Sequence, residues 1–174
     1  MEDSSTAPRR LVLLRHAKAE HGGEIADHLR PLSLVGRRQA TGVGATLQAA
    51  GMIPDLVLCS SSLRTRQTWD LVRSSLGAQP TVELSDTLYS AGVRAMLDLV
   101  RDVPSAVRTV LLVGHEPTVS EAAATLAGPG SDEPCLARVR VGMPTGSYSV
   151  LETDISWAQL EPDGARLLRL VTPA

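Results

Sequence analysis

Short apolar runs that alternate with segments of helical spacing constrain the fold of this chain more than any other feature. Three runs contain no polar residue, as expected of strands that are covered on both faces; they lie at residues 11–14, 56–59 and 110–113. Between them, apolar residues recur near helical spacing, at 34–50, 63–76 and 93–103. This βαβ alternation predicts an α/β fold, a three-layer sandwich in which helices flank a mostly parallel central sheet.

The remainder of the chain has a different pattern. A helix is predicted at 118–126, because Pro117 suits the first turn of a helix and a Gly-Pro-Gly turn follows the segment. Beyond it, 147–153 is typical of a strand, and the runs 157–160 and 165–171 flank the turn sequence Glu-Pro-Asp-Gly. We predict one strand followed by a hairpin, which together form an antiparallel C-terminal edge of the sheet.

The length of the chain is that of one domain. With 174 residues, it can bury a sizeable core without disulfides or metal ions. No shift in composition and no internal repeat marks a second domain. We expect residues 1–8, which are polar, to form a flexible N-terminus, and residues 9–174 to form a single domain.

The composition disfavours several classes of partner. A net charge of -2 and an aromatic content of 2% offer no basis for nucleic-acid binding. No apolar run approaches the ~20 residues of a membrane span, and the start of the chain lacks the apolar stretch of a signal peptide. Cys59 and Cys135 are too few for a disulfide framework, so we expect a cytoplasmic protein with free thiols and a structural Cys59.

Histidines follow two of the predicted strands at the point where each strand ends. Arg15 and His16 come directly after the first run, and Gly114 and His115 follow the third. Because the carboxyl ends of parallel strands meet at one edge of a sheet, these side chains can converge although they are far apart in sequence. The pattern predicts a phosphate site at this edge, with His16 as the candidate nucleophile.

Serines and arginines follow the second run. Ser60 and Ser61 could donate hydrogen bonds to an anion at the start of the next helix, or they could cap that helix. Capping is the favoured interpretation, because serine is a common cap residue. Arg64 lies in the first turn of the same predicted helix. Arg66, two residues further, is expected to point to solvent.

These motifs, in this order, resemble those of the histidine phosphatase superfamily, which includes phosphoglycerate mutases and acid phosphatases. The short length is similar to that of the SixA branch, the small bacterial phosphohistidine phosphatases. Segments 28–33, 36–40 and 88–91 are also similar to that branch. The resemblance therefore extends over most of the chain.

The resemblance implies that His16 attacks phosphorus to form a phosphohistidine enzyme, with Arg15, Arg64 and His115 holding the phosphoryl oxygens and no cofactor. Ser60 is a further candidate for phosphate contact. The physical chemistry agrees, because neighbouring guanidinium groups disfavour a protonated ring and bind a dianion at the same time. Charge that develops in the transition state then meets donors that are already in place.

The sequence departs from the family pattern beside the second histidine. Glu116 stands where the SixA branch often has asparagine, and a carboxylate there would repel a phosphate dianion unless it points away. No acidic residue has a decisive motif for a general acid; the candidates are Glu116, Asp27, Glu83 and Asp86. An imidazole leaving group needs less protonation than an alkoxide, so this gap favours phosphohistidine as the substrate.

Several alternatives remain open at this point. The substrate is a phosphorylated protein or a small phosphorylated molecule, such as a sugar or nucleotide phosphate, and a non-catalytic module that binds phosphorylated ligands is a third interpretation. Retention of His16 argues against a pure binder, which has no need for a nucleophilic ring. The histidines lack a compact ligand spacing, so no metal site is expected. His21 and His28 are predicted to lie in a surface loop.

Overall fold

The computed structural model describes residues 7–174, and one six-stranded sheet runs through this part of the chain. The spatial order is β3-β2-β4-β1-β5-β6. The first four strands in this order are parallel, and the last two are antiparallel to their neighbours. The strands are β1 (Arg9–Arg15), β2 (Leu56–Ser60), β3 (Thr81–Ser85), β4 (Thr109–Gly114), β5 (Tyr148–Thr153) and β6 (Arg166–Val171).

Helices connect most of these strands. Serine side chains cap three of them: Ser33, Ser62 and Ser85 each accept a hydrogen bond from the backbone amide three residues further along. No helix in the described part of the chain is long and apolar enough to cross a membrane. The helices are α1 (Leu34–Ala49), α2 (Leu63–Leu76), α3 (Asp86–Ser90), α4 (Val93–Arg101), α5 (Thr118–Leu126) and α6 (Glu133–Val141).

The helices cover the two faces of the sheet in separate layers. Successive side chains of a strand point to opposite faces, so Leu11 and Leu13 of β1 join a cluster with residues of α4, α5 and α6. Val12 and Leu14 join the other cluster, with residues of α1 and α2. The predicted three-layer α/β sandwich with a mostly parallel sheet and an antiparallel C-terminal edge is confirmed.

The predicted hairpin near the C-terminus is wrong. Residues Trp157–Gln159 form a 3₁₀ turn, and β6 pairs antiparallel with β5 instead. Trp157 is buried in the core, where its indole Nε1 donates to the carbonyl of Val107 at 2.7 Å. Burial of a large side chain with a satisfied donor outweighs the strand preference of the local sequence.

The sequence analysis did not predict β3, α3 or α6. Both faces of β3 are exposed over most of its length, so it lacks the apolar run that marks the buried strands. The helix α3 has only five residues. The helix α6 carries a proline in its first turn and few buried residues, which weakens its apolar periodicity. The predicted flexible N-terminus falls mainly on residues 1–6, which lie outside the described residues.

The parallel strands end together at one edge of the sheet. Arg15 of β1 lies opposite Gly114 of β4, and Cys59 of β2 lies opposite Val113 of β4. The residues that follow these strands therefore meet, as the sequence predicts. This edge holds the candidate site.

Candidate active site

A cleft of about 620 Å³ opens at the carboxyl ends of the parallel strands. Arg15, His16, Arg64 and His115 all line it. These four residues come from the end of β1, the first turn of α2 and the residue that follows β4. The tertiary structure thus brings together side chains that are up to 100 positions apart.

The ring of His16 is held in one tautomer by the backbone. Its Nδ1 lies 2.7 Å from the carbonyl oxygen of Ala17. A carbonyl only accepts hydrogen bonds, so Nδ1 carries the proton and Nε2 carries the free lone pair. The backbone amide of His16 donates to the carbonyl of Gly114 at 3.0 Å, which fixes the residue against the end of β4. Nε2 is therefore the ring nitrogen whose lone pair is free.

The surroundings of His16 keep the ring uncharged. The residue is 8% exposed. Its pKa is lowered to about 3, first by burial and then by neighbouring cationic groups, Arg64 and Arg15 among them. The imidazole is neutral at neutral pH, as nucleophilic attack requires.

His115 faces His16 across the cleft. The two ring centroids are 5.3 Å apart. Nδ1 of His115 lies 3.4 Å from Nη2 of Arg64 and therefore accepts, while Nε2 donates to Ser60 Oγ at 2.7 Å. Burial, followed by the Arg64 charge, lowers the pKa of His115 to about 4. Both histidines are thus neutral at neutral pH in the structure.

Arg64 is buried in the first turn of α2 and contacts a loop that precedes α1. Its Nη1 donates to the carbonyl of Asp27 at 2.8 Å, and its Nη2 lies 3.1 Å from the Asp27 carboxylate. Arg66 of the same helix is exposed, as predicted. The helical rotation of about 100° per residue separates the two arginines, so only Arg64 reaches the cleft.

Arg15 also lines the cleft and contacts the loop that precedes β5. Its Nη1 donates to the carbonyl of Met143 at 2.8 Å. Within residues 7–174, the buried Nε atoms of Arg15 and Arg64 have no hydrogen-bond acceptor. Burial lowers the pKa of Arg15, and the charge of Glu116 raises it. A guanidinium still holds its proton under these influences, so Arg15 and Arg64 both place a fixed positive charge in the cleft.

The predicted capping by Ser60 and Ser61 is wrong, because Ser62 is the cap of α2. The helix starts one residue later than capping by Ser61 would require. Ser60 is fully buried and is not among the residues that line the cleft, so its contact with the cleft passes through His115. The hydroxyl of Ser61 lies 3.2 Å from Nε2 of His28.

Two of the candidate acids contact the cleft residues. The Asp27 carboxylate accepts from Tyr89 and lies against Arg30 and Arg64. The hydrogen bond from Tyr89, followed by the contacts with the two arginines, holds the pKa of Asp27 well below its usual range. Asp27 is therefore ionised at neutral pH. Its charge neutralises part of the positive potential around Arg64.

Glu116 also lines the cleft, and hydrogen bonds from neighbouring residues hold its carboxylate. Its Oε1 accepts from the amide of Ser120 at 2.8 Å, and its Oε2 accepts from the Ser120 hydroxyl at 2.8 Å and from the amide of Met143 at 3.1 Å. Glu83 and Asp86 are exposed on β3 and α3 and are not among the residues that line the cleft.

Tyr89 borders the site together with two histidine rings, and the sequence analysis gave it no role although it lies in segment 88–91, one of those that resemble the SixA branch. The Tyr89 ring packs edge-on against His28 at 4.8 Å and against His115 at 5.6 Å between centroids. His28 is half-buried and His21 is exposed, and both lie in the segment before α1 that was predicted to be a surface loop. Tyrosine is rare in this chain, with two occurrences, and that scarcity could have drawn attention to Tyr89.

Comparisons with known proteins agree with this arrangement. A family model described as the histidine phosphatase superfamily (branch 1) matches residues 11–89. An uncharacterised protein from Mycobacterium tuberculosis (strain ATCC 25618 / H37Rv) is 36% identical over 161 residues, which cover 92% of this chain and 99% of the relative.

Solved structures extend the similarity to the SixA group. The structure of a candidate phosphohistidine phosphatase SixA from Nakamurella multipartitia has a TM-score of 0.84 and 34% identity, with 96% of this chain and 97% of that chain covered. A second candidate SixA structure, from Agrobacterium tumefaciens, has a TM-score of 0.80 and 28% identity, covering 96% of this chain and 99% of that chain. With the fold, the converging residues and these relatives in agreement, the chain belongs to the histidine phosphatase superfamily and is similar to its SixA-type members.

Proposed function

We propose that this protein is a metal-independent phosphatase that forms a phosphohistidine intermediate on His16, and that its substrate is a phosphohistidine of a phosphoprotein. One observation carries the proposal: the neutral His16 ring has its Nε2 lone pair available in a cleft that Arg15 and Arg64 also line. A module that only binds phosphorylated ligands would need the guanidinium groups but not the nucleophile.

The reaction has two displacements at phosphorus. In the first, Nε2 of His16 forms a bond to phosphorus as the bond between phosphorus and the substrate imidazole breaks. The electron pair of the broken bond stays on the departing nitrogen, which takes a proton from water. In the second, a water molecule attacks the phosphoryl group on His16, inorganic phosphate leaves with the water oxygen, and the neutral ring is restored.

The two arginines and His115 hold the phosphoryl oxygens in both displacements. A guanidinium fork can contact two oxygens at once and does not lose its proton. Stabilisation of the developing negative charge by these fixed donors is expected to be the main source of the rate enhancement.

The surroundings of the candidate acids support an imidazole as the leaving group. The Asp27 and Glu116 carboxylates accept hydrogen bonds from neighbouring groups, and neither Glu83 nor Asp86 lines the cleft. An alkoxide leaving group requires an acid in place, whereas an imidazole leaves with far less assistance. The similarity to SixA structures supports the same substrate class.

Phosphohistidine is expected to be hydrolysed at least about a hundredfold faster, in kcat/KM, than alkyl phosphates such as sugar phosphates, because general acid assistance is worth a factor of this size for a poor leaving group. The measurement is phosphate release from a phosphohistidine protein, a sugar phosphate and a nucleotide at equal concentration. Comparable rates for the alkyl phosphates would indicate that small phosphate esters, rather than phosphohistidine, are the substrates. Phosphate binding without any turnover would favour the binding module.

The low histidine pKa values predict an unusual acid limb in the pH profile. An ordinary histidine nucleophile loses about tenfold in kcat/KM per pH unit below its pKa of about 6.5. With the pKa of His16 at about 3 and that of His115 at about 4, the free enzyme keeps both rings neutral well below that value. After correction for substrate ionisation, kcat/KM is expected to show no enzyme limb between about pH 5 and 7. An enzyme limb near pH 6.5 in the profile of the unaltered protein would contradict this assignment.

We also propose a cytoplasmic location and a phosphorylated protein as the partner. Cys59 and Cys135 are free thiols, and Cys59 is buried, which suits a reducing compartment. Burial raises the pKa of Cys59 to about 12, so this thiol is protonated and does not compete with His16 as a nucleophile.

A further inference from the structure

The backbone of Met143 links Glu116 to Arg15. The amide of Met143 donates to Glu116 Oε2 at 3.1 Å, and the carbonyl of Met143 accepts from Arg15 Nη1 at 2.8 Å. One residue of the loop between α6 and β5 thus contacts the carboxylate with one backbone group and the guanidinium with the other.

Glu116 is also held by hydrogen bonds from the start of α5. Both the amide and the hydroxyl of Ser120, in the first turn of α5, donate to its carboxylate at 2.8 Å. Carboxylates that accept hydrogen bonds at a helix N-terminus are favoured by the orphan amides and the helix dipole. Glu116 therefore joins the start of α5 to the loop that contacts Arg15.

The same loop is attached to the end of β1. The amide of Gly146 donates to the carbonyl of His16 at 3.0 Å, and the amide of Arg15 donates to the carbonyl of Ser147 at 3.0 Å. Gly142, with a φ of 128°, adopts a conformation that favours glycine just before Met143. The position of the Met143 carbonyl, and with it one end of the Arg15 guanidinium, is determined by these contacts.

We propose that Glu116 is a positioning residue, which orients the Arg15 guanidinium through Met143 so that its remaining donors face the phosphoryl group. This inference rests on the proposed function for the identity of the anion. Glu116 contacts neither His16 nor Arg15 by a direct hydrogen bond, and its charge stabilises Arg15 from behind the Met143 backbone.

If Glu116 instead only repelled the phosphate, its replacement would change phosphate affinity in the opposite direction. A carboxylate that only repelled the phosphate dianion would, when replaced by a neutral amide, allow tighter binding. A positioning carboxylate would, on the same replacement, weaken binding, because the amide nitrogen of glutamine cannot accept hydrogen bonds. The substitution Glu116→Gln separates the two roles.

For Glu116→Gln we expect about tenfold weaker binding of inorganic phosphate, the worth of one charge-assisted hydrogen bond. We also expect kcat/KM to fall between about tenfold and a hundredfold, as misplacement of a binding group does. Phosphate affinity is measured by calorimetry on the full chain, and kcat/KM with a phosphohistidine protein. Glu121→Gln is the matched control, since Glu121 is exposed on the same helix and its replacement should change neither quantity.

A double-mutant cycle with Arg15→Ala distinguishes positioning from a general loss of structure. If Glu116 acts through Arg15, Glu116→Gln causes no further loss of phosphate affinity when Arg15 is absent. Ser120→Ala, which removes one donor to Glu116, should show a smaller loss with the same dependence on Arg15. It also tests the inference if the Glu116 variant does not fold.

Tighter phosphate binding by Glu116→Gln, or an undiminished loss in the Arg15→Ala background, would overturn the inference. Failure of the proposed function would be recognised by a different result. In that case the unaltered protein binds phosphate but does not hydrolyse phosphohistidine, and the cycle on phosphate affinity still decides the role of Glu116.

Discussion

Replacement of His16 by alanine is expected to reduce the hydrolysis of phosphohistidine by roughly a thousandfold or more, as removal of a catalytic nucleophile does in other hydrolases. The physical reason is that the substitution removes the Nε2 lone pair, which the Ala17 carbonyl holds available by fixing the proton on Nδ1. The variant should also fail to acquire a phosphoryl label from a radiolabelled substrate. The unaltered protein, quenched during turnover, should carry label that is lost in acid, as a phosphorus–nitrogen bond requires.

Inorganic phosphate binding provides the control for this variant. Arg15, Arg64 and His115 remain in the His16→Ala protein, so it should still bind phosphate with an affinity within a few-fold of the unaltered protein. Retained affinity with lost turnover identifies His16 as the nucleophile. Turnover that persisted at the original rate would falsify the proposed mechanism.

Replacement of Arg64 by alanine has the second largest expected effect, a loss of about a hundredfold to a thousandfold in kcat, by analogy with the removal of one oxyanion donor. The side chain is 7% exposed, and it places positive charge beside both histidines. Arg64→Lys should recover only part of the activity, because an ammonium group lacks the planar fork that bridges two oxygens. The measurement is single-turnover hydrolysis at saturating substrate.

Arg66→Ala is the matched control for Arg64→Ala. Both residues lie in the first turns of α2, and both substitutions remove one positive charge, but Arg66 is exposed. The control should retain nearly full activity. Equal losses in the two variants would show that net charge, rather than a fixed donor in the cleft, is responsible.

The main residues of the candidate site could be predicted from the sequence because they lie where strands end. Arg15, His16 and His115 follow apolar runs that are visible in the sequence, and parallel strands bring their carboxyl ends to one edge. Arg64 follows from the same logic, through the first turn of α2. The α/β layers were predictable for a related reason, since burial on both faces leaves an uninterrupted apolar signature.

The residues that surround the candidate site could not be predicted from the sequence in this way. Asp27 lies 37 positions from Arg64, and Tyr89 lies 62 positions from Asp27. These contacts join a loop to a helix and to a short exposed element, and neither the loop nor the short element has a periodic signal. The cap at Ser62, in a run of three serines, depends on where α2 begins, and boundaries of elements are poorly encoded locally. The hairpin was mispredicted because a turn sequence does not reveal which strand its flanks will pair with.

The amino-acid sequence alone determined that buried parallel strands carry Arg15, His16 and His115 to one edge, since apolar continuity and strand direction are local properties of the chain. Only the tertiary structure decided the chemical state of these groups. The proton on Nδ1 of His16, the low pKa of His115 and the orientation of Arg15 depend on backbone carbonyls and on burial. Every residue carries a carbonyl, so the sequence does not mark which one will accept, and burial exists only after distant segments have packed together.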